Sequence, residues 1–198
     1  LRLGELIQEA GFPPGVVNIV TGLGETSGAA LVAHPGVDKV AFTGSTEVGK
    51  LINKSATDTL KRVSLELGGK SPMIVLPDAD GSTAVGGAAM AIFFNTGQVC
   101  TSGSRLYVHK KIYGDDVDGI GEAARKIKLG PGLAPDSQMG PLVSKEQQDR
   151  VTGFIESGIA EGARLVAGGP GAGMQGYFVT PTVLGETRPE MRVVREGI

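Results

Sequence analysis

The chain holds a single cysteine, Cys100, in the run Phe93-Phe94-Asn95-Thr96-Gly97-Gln98-Val99-Cys100-Thr101-Ser102. A lone buried cysteine ordinarily acts as a small hydrophobe. Here it follows a glycine-containing turn, where unspent backbone N–H groups could stabilise a thiolate or an oxyanion. A second candidate, Glu66, stands between two leucines in Leu65-Glu66-Leu67-Gly68-Gly69-Lys70-Ser71-Pro72, at the end of an expected buried strand. Apolar neighbours would make its carboxylate a better proton acceptor near neutral pH. The plainer alternative is a surface glutamate on an edge strand, or one paired with Lys61, Arg62 or Lys70. One thiol and one base together suit covalent catalysis followed by general-base hydrolysis. Spacing alone does not bring them into contact.

The third candidate is Gly44-Ser45-Thr46-Glu47-Val48-Gly49-Lys50, which follows a strand and opens a helix. A helix N-terminus carries unpaired N–H groups and partial positive charge, so Ser45 or Thr46 could cap it and leave donors for a phosphate. The string approaches a P-loop, but Leu51 occupies the position where a hydroxyl must hold magnesium. Gly22-Leu23-Gly24 with Gly28 is one residue longer than the dinucleotide fingerprint. Each glycine cluster alone reads equally well as an ordinary strand-to-helix turn.

Bulk properties narrow the classes. With 19 basic and 21 acidic residues interspersed, the net charge of -2 offers no stripe for a nucleic acid. The apolar stretch Val85 to Phe94 is too short to span a bilayer, and no signal peptide opens the chain. One cysteine excludes an internal disulfide, and His34 and His109 cannot complete a structural Cys/His zinc site, so no metal is expected. A reducing, cytoplasmic setting fits this composition. Both ends look cut, because a helical face is present from Leu1 without an N-cap and the chain stops after Met191 to Ile198 without a terminal motif.

Period and punctuation predict a helix up to Ala10, a strand at Val16–Val20, a helix from Thr26 to Ala33 and a strand at Lys39–Phe42. A helix from Thr46 to Ser55 and a strand at Arg62–Leu67 follow. Beyond Gly69 the pattern predicts strand Met73–Leu76, helix Ser82–Phe94, strand Arg105–His109, helices near Asp116–Ile127 and Ser144–Glu161, and strands Arg164–Ala167 and Tyr177–Leu184. This alternation predicts an α/β fold, a parallel-sheet Rossmann-like half-domain followed by a second α/β unit, with ligands at the carboxyl ends of the strands.

Three motifs now stand together: Phe42-Thr43-Gly44-Ser45, Leu65-Glu66-Leu67-Gly68-Gly69-Lys70 and Gly97-Gln98-Val99-Cys100. In this order and near this spacing they resemble the NAD(P)-dependent aldehyde dehydrogenases, over nearly the whole chain. The resemblance implies that residues 1–68 are the C-terminal part of an NAD(P)-binding domain and 69–198 a truncated catalytic domain. It implies oxidation of an aldehyde to a carboxylic acid, with Cys100 as the nucleophile that forms a thiohemiacetal and then a thioester, and Glu66 as the base for its hydrolysis. An asparagine upstream of Leu1 would share the oxyanion with the Cys100 N–H. For NAD or NADP, the resemblance assigns Ser45 to the pyrophosphate, with Gly44, Thr46 and Val48 lining the cleft and Phe42 and Gly24 beside it. Leu67 would back the nicotinamide and Gln147 would reach the ribose. Phe94, Val99 and Thr101 would border the aldehyde tunnel. The parent enzyme would be a homo-dimer or homo-tetramer with a small-molecule aldehyde substrate, and the fragment alone would be inactive. One departure is visible: Glu196-Gly197-Ile198 places glycine where the family often carries a second acid.

Two other functions compete. In a cysteine hydrolase, Cys100 would pair with His109 as base and Gln98 or another amide would hold the oxyanion. In a non-catalytic nucleotide-binding fragment, the glycine turns would bind without chemistry.

Overall fold

The computed structural model describes all residues from Leu1 to Ile198. The chain divides at Leu67 into two compact units, Leu1–Leu67 and Gly68–Ile198. No helix is long and apolar enough to cross a membrane.

The first unit begins with helix α1, Arg2–Glu9. Val16–Val20, expected as a strand, is not one. The Val16 N–H donates to the Pro13 carbonyl in a turn, and the Asn18 side-chain amide donates to the Gly15 carbonyl. Val16, Val17, Ile19 and Val20 stand exposed. A strand needs a ladder partner, and this segment has none. A π-helical turn at Gly24–Gly28 leads into α2, Ala29–Ala33. Strand β1, Lys39–Gly44, then pairs in parallel with β2, Arg62–Leu67, across helix α3, Thr46–Ala56. Gly49, Ile52 and Ala56 are the buried face of α3, at the spacing of successive helical turns. Gly49 lets α3 approach closely: a Cβ there would lie 2.7 Å from Leu67 Cδ2.

The second unit repeats the strand–helix–strand plan. Strand β3, Pro72–Val75, pairs in parallel with β4, Arg105–Val108, across helix α4, Gly81–Phe93. α4 is built mainly of small residues, and α5, Tyr113–Lys126, packs along it so closely that a Cβ on Gly119 would come within 2.9 Å of Val85 Cγ2. α6, Lys145–Ala160, follows, and then β5, Arg164–Ala167, β6, Val183–Gly185, and α7, Arg192–Arg195. One core cluster joins Phe93 to Ala124, Met139 and Ala167. A second joins Leu142, Ile155 and Val179, and a third Ala163, Met191 and Val193.

Two features of this region depart from the sequence pattern. β5 and β6 run antiparallel, with an irregularity between Leu165 and Ala167. The strand expected over Tyr177–Leu184 shrinks to β6. Pro181 has no N–H to give a ladder, and the Thr180 and Thr182 hydroxyls bond the Gly169 backbone instead, at 2.8 and 3.1 Å. Phe178 and Val179 are nonetheless buried, which is why their apolar pattern read as a strand.

α4 begins at Asp80, whose carboxylate accepts from the Thr83 N–H at 2.8 Å and the Ser82 hydroxyl at 2.7 Å. These bonds favour the ionised form, chiefly through Thr83 and then Ser82, and hold the Asp80 carboxyl down to about 2 from an ordinary 3.8. A carboxyl depressed on folding stabilises the native state above its unfolded value, and that stabilisation disappears as pH falls through the folded one. The thermal midpoint of the wild type should therefore drop between pH 3.8 and about 2 more steeply than that of Asp80→Asn, which keeps a cap without the charge. Parallel acid limbs in the two melting series would contradict this role.

Candidate active site

Everything around Cys100 depends on how the chain leaves α4. Phe93 is buried in the core, and the next residues turn sharply: Asn95 and Thr96 adopt left-handed conformations at φ 50° and 59°, and Gly97 follows at φ 70°. Asparagine tolerates that region and glycine occupies it freely, but a β-branched threonine is strained there. Strain of this kind costs about 1–3 kcal/mol per residue and persists only where surrounding contacts overdetermine the backbone.

Those contacts are present. The Asn95 amide donates to the Gln98 carbonyl at 3.2 Å, and the Gln98 N–H donates back to the Asn95 carbonyl at 3.1 Å. The Thr96 hydroxyl donates to the Gly140 carbonyl at 3.2 Å, and Gln98 Oε1 accepts from the Val143 N–H at 2.9 Å. Buried Ser102 closes the loop by donating to the Gly97 carbonyl at 2.8 Å. The loop is thus tied to the segment before α6 and to itself. Within it Cys100 is exposed with a free thiol. The N–H groups of Gln98, Ser102, Gly103 and Ser104 are all spent on backbone carbonyls, whereas that of Cys100 has no protein acceptor. Gly69 approaches from the side, where a Cβ would sit 3.5 Å from the Cys100 carbonyl oxygen. An exposed thiol beside an unspent N–H on a fixed loop can attack an electrophilic carbon and hold the resulting oxyanion.

Phe94, Val99 and Thr101 share this loop. Phe94 and Thr101 are exposed and Val99 is half-buried, so all three stand within reach of a group approaching Cys100 along the loop. Gln147 sits in the first turn of α6, where its N–H donates to the capping Ser144 hydroxyl at 3.2 Å and its side chain is half-buried.

The remaining candidates lie in the first unit. Ser45 caps α3, its hydroxyl accepting from the Val48 N–H at 3.2 Å. The Gly49 N–H is taken by the Ser45 carbonyl. The Thr46 and Glu47 N–H groups are left without a partner at the carboxyl end of β1, where an anionic group could be received. Gly44 is fixed by Phe42, whose ring crosses the glycine so closely that a Cβ would lie 2.4 Å from Phe42 Cζ. Val48 is exposed on the first turn of α3, and Gly24 opens the π-helical turn that leads into α2, which packs beside α3. These surroundings suit the phosphates of a dinucleotide: the donors are backbone N–H groups, and glycine and serine leave room for close approach.

Glu66 departs from expectation. It pairs in register with Thr43, and the alternation of β2 puts it on the face opposite Leu65 and Leu67, exposed rather than set among apolar groups. A residue flanked in sequence by two leucines projects away from both in a strand. Leu67 turns its side chain toward Gly49 of α3. Glu66 and Leu67 therefore belong with Ser45 in the first unit, and Cys100, Phe94, Val99, Thr101 and Gln147 belong to the second.

The hydrolase alternative loses its parts. His109 lies past the far end of β4, about 13 Å along the strand from Arg105 at ~3.3 Å per residue, and its Nδ1 accepts from the Lys111 N–H at 3.3 Å. The Gln98 side chain is a brace at both ends of its amide: Oε1 accepts from the Val143 N–H at 2.9 Å, and Nε2, the group that would have to donate to an oxyanion, donates to the Asn95 carbonyl at 3.5 Å. Sequence reasoning passed over Gly69, Gln98 and Ser102 as structural members of the site. The paired glycines Gly68-Gly69 were a signal of close approach, but Ser102 gave none.

Parallel β-strands joined across helices, with a glycine-flanked helix cap in one unit and an exposed, braced cysteine in the other, define an α/β protein. The chain belongs to the aldehyde dehydrogenase family, whose family model matches residues 1–198. It is 53% identical to aldehyde dehydrogenase 1A1 of Bos taurus and 51% identical to retinal dehydrogenase 2 of Mus musculus, in each case over 100% of this chain and 40% and 38% of the relative. The NAD+ complex of an aldehyde dehydrogenase from Bacillus cereus superposes with a TM-score of 0.93 at 50% identity, covering 98% of this chain and 39% of that one. The chain thus spans about two fifths of the length of the proteins it matches.

Ser102→Ala should remove the bond that closes the Cys100 loop and leave the Gly97 carbonyl unpaired, at a cost of about 1–3 kcal/mol. Amide exchange over residues 96–104 should accelerate selectively, and unchanged protection there would show that the loop is held by other means.

Proposed function

We propose that the full-length protein containing this chain oxidises an aldehyde to a carboxylic acid with NAD or NADP as hydride acceptor. The observation that carries this reading is the exposed thiol of Cys100 beside its own unspent N–H on a braced loop, in a member of the aldehyde dehydrogenase family. Residues 1–68 form part of the cofactor-binding domain and 69–198 the nucleophile-bearing domain.

The Cys100 thiolate adds to the aldehyde carbon, forming a C–S bond and a thiohemiacetal. The Cys100 N–H donates to the new oxyanion. Bound NAD or NADP supplies the hydride acceptor that converts the thiohemiacetal to a thioester. Glu66 takes a proton from the water that hydrolyses this thioester, so the carboxylic acid leaves and the thiol returns. Exposure of Glu66 on the strand face opposite Leu65 and Leu67 suits a base that must meet water. Thr46 and Glu47 N–H groups receive the pyrophosphate at the helix capped by Ser45. Gly44, Phe42, Val48 and Gly24 would shape the surrounding wall, Leu67 would back the nicotinamide and Gln147 would hydrogen-bond the ribose. Phe94, Val99 and Thr101 line the approach to Cys100, and their lack of charge favours an apolar aldehyde. A solved neighbour supports that class: aldehyde dehydrogenase C from Pseudomonas syringae, 40% identical with a TM-score of 0.92, is described as a cysteine-to-alanine variant complexed with NAD+ and octanal. The protein acts in the cytoplasm as a homo-oligomer.

Cys100→Ala in the full-length protein should abolish NAD(P)-coupled oxidation of an aliphatic aldehyde while leaving cofactor binding in place. Glu66→Gln should give a stoichiometric burst of reduced cofactor in stopped flow, followed by turnover slowed by about 100-fold. A Glu66→Gln enzyme that cycles at the wild-type rate would assign Glu66 a structural role.

A further inference from the structure

Lys70 lies at a junction that none of the proposed chemical steps uses. Its carbonyl accepts two hydrogen bonds from the Arg105 guanidinium, at 3.1 Å from Nε and 2.6 Å from Nη2, which fix the Gly68–Lys70 turn to the start of β4. Its ammonium reaches in the opposite direction and donates to the Ile198 carbonyl, beyond α7. The neighbouring Gly69 lies beside the Cys100 loop, where a Cβ would stand in van der Waals contact with the Cys100 carbonyl oxygen, at 3.5 Å. Three segments therefore meet at one residue: the strand that leaves the Cys100 loop, the turn that runs beside Cys100, and the segment following α7.

Gly197 completes the junction. It adopts φ 73°, in the left-handed region, and a Cβ there would stand 2.7 Å from both Cγ and Cδ of Lys70. A side chain at 197 and the Lys70 stem cannot occupy the same space. α7 is itself held to α6 through buried Phe154, whose ring lies beneath the guanidinium carbons of Arg192 at 4.6 Å and Arg150 at 5.7 Å. Burial of the Lys70 ammonium, reinforced by the Arg150 charge, lowers its proton affinity. The ammonium is therefore held at an electrostatic cost that a purely space-filling apolar residue would avoid.

We propose that Lys70 is a positioning residue for the Cys100 loop, acting as a latch between the Gly68–Lys70 turn and the segment following α7, with Gly197 leaving the room that the latch requires. The restraint reaches Cys100 through Gly69, which limits how far the Cys100 carbonyl, and hence the adjoining N–H and thiol, can shift. This role rests on Cys100 being the nucleophile.

The test uses the full-length protein with an aliphatic aldehyde and NAD, and compares wild type with Lys70→Met, Lys70→Arg, Gly197→Ala and Cys100→Ser. Misplacing a reacting group by about 1 Å can cost ~100-fold in rate. Lys70→Met should accordingly lose up to about 100-fold in kcat, with KM for aldehyde and NAD little changed. Its thermal midpoint should be unchanged or raised, because an electrostatic cost has been removed. Lys70→Arg, which keeps a long cationic donor, should recover most of the lost kcat. Alkylation of Cys100 by iodoacetamide should slow in the same order. Wild-type kcat in Lys70→Met overturns the proposal, as does a loss that Lys70→Arg fails to rescue and that tracks a fall in thermal midpoint. If Lys70→Met does not fold, Gly197→Ala decides: a fall in kcat at constant KM supports the latch, and wild-type kcat overturns it. Activity retained by Cys100→Ser overturns the nucleophile assignment and the latch with it. An inactive Cys100→Ser beside a fully active Lys70→Met overturns the latch alone.

Discussion

After α4, anchored in the core by Phe93, the chain reverses through Asn95, Thr96 and Gly97, all left-handed. That reversal is unfavourable at Thr96, where the branched side chain crowds its own backbone. It is sustained by the cap at Asp80, by Phe93 sunk into the core, by hydrogen bonds donated by Asn95, Thr96 and Ser102, and by the one Gln98 accepts from the Val143 N–H. The result is a cysteine held out in solvent with its backbone N–H unspent. Stability at both ends of α4 thus maintains a local geometry that would not persist alone.

Close helix packing serves the same end across the fold. α3 lies on β2 through Gly49 and α4 lies on α5 through Gly119, each at distances that a side chain would prevent. Where glycine instead takes a left-handed conformation, as at Gly97 and Gly197, it sets the direction of a segment bordering the Cys100 loop or the Lys70 junction. Abundant glycine is therefore divided between close approach and chain reversal, and neither use implies a flexible chain.

Much of the architecture was readable from the amino acids. The sequence pattern located β1, α3, β2, β3, α4, β4, α5 and α6 to within a few residues, and the parallel pairing followed from the alternation of strand and helix. Ser45 announced its cap by type and position. The failures share a cause, which is that sequence pattern records burial but not hydrogen-bond partners. Val16–Val20 and Tyr177–Pro181 have strand-like residues but no ladder partner: in the first only the Val16 N–H is bonded, in a turn, and in the second the Tyr177 carbonyl accepts from the Leu142 N–H and the Phe178 carbonyl from the Gln148 amide. The apolar surroundings expected for Glu66 are absent because adjacency to leucines in sequence becomes opposition to them in a strand. The Asn95–Gly97 reversal carried only Gly97 as a cue, and the approach of Gly69 to Cys100 joins residues far apart in the chain, beyond the reach of local pattern.

The central claim, that the braced loop exists to present Cys100 as a covalent nucleophile, is tested most directly by rapid acid quench of the full-length enzyme during turnover with aldehyde and NAD, followed by peptide mass mapping. One acyl group per active site should be found, on the peptide containing Cys100. Acylation of a different residue, or a Cys100 peptide that stays unmodified while aldehyde is being oxidised, would contradict it.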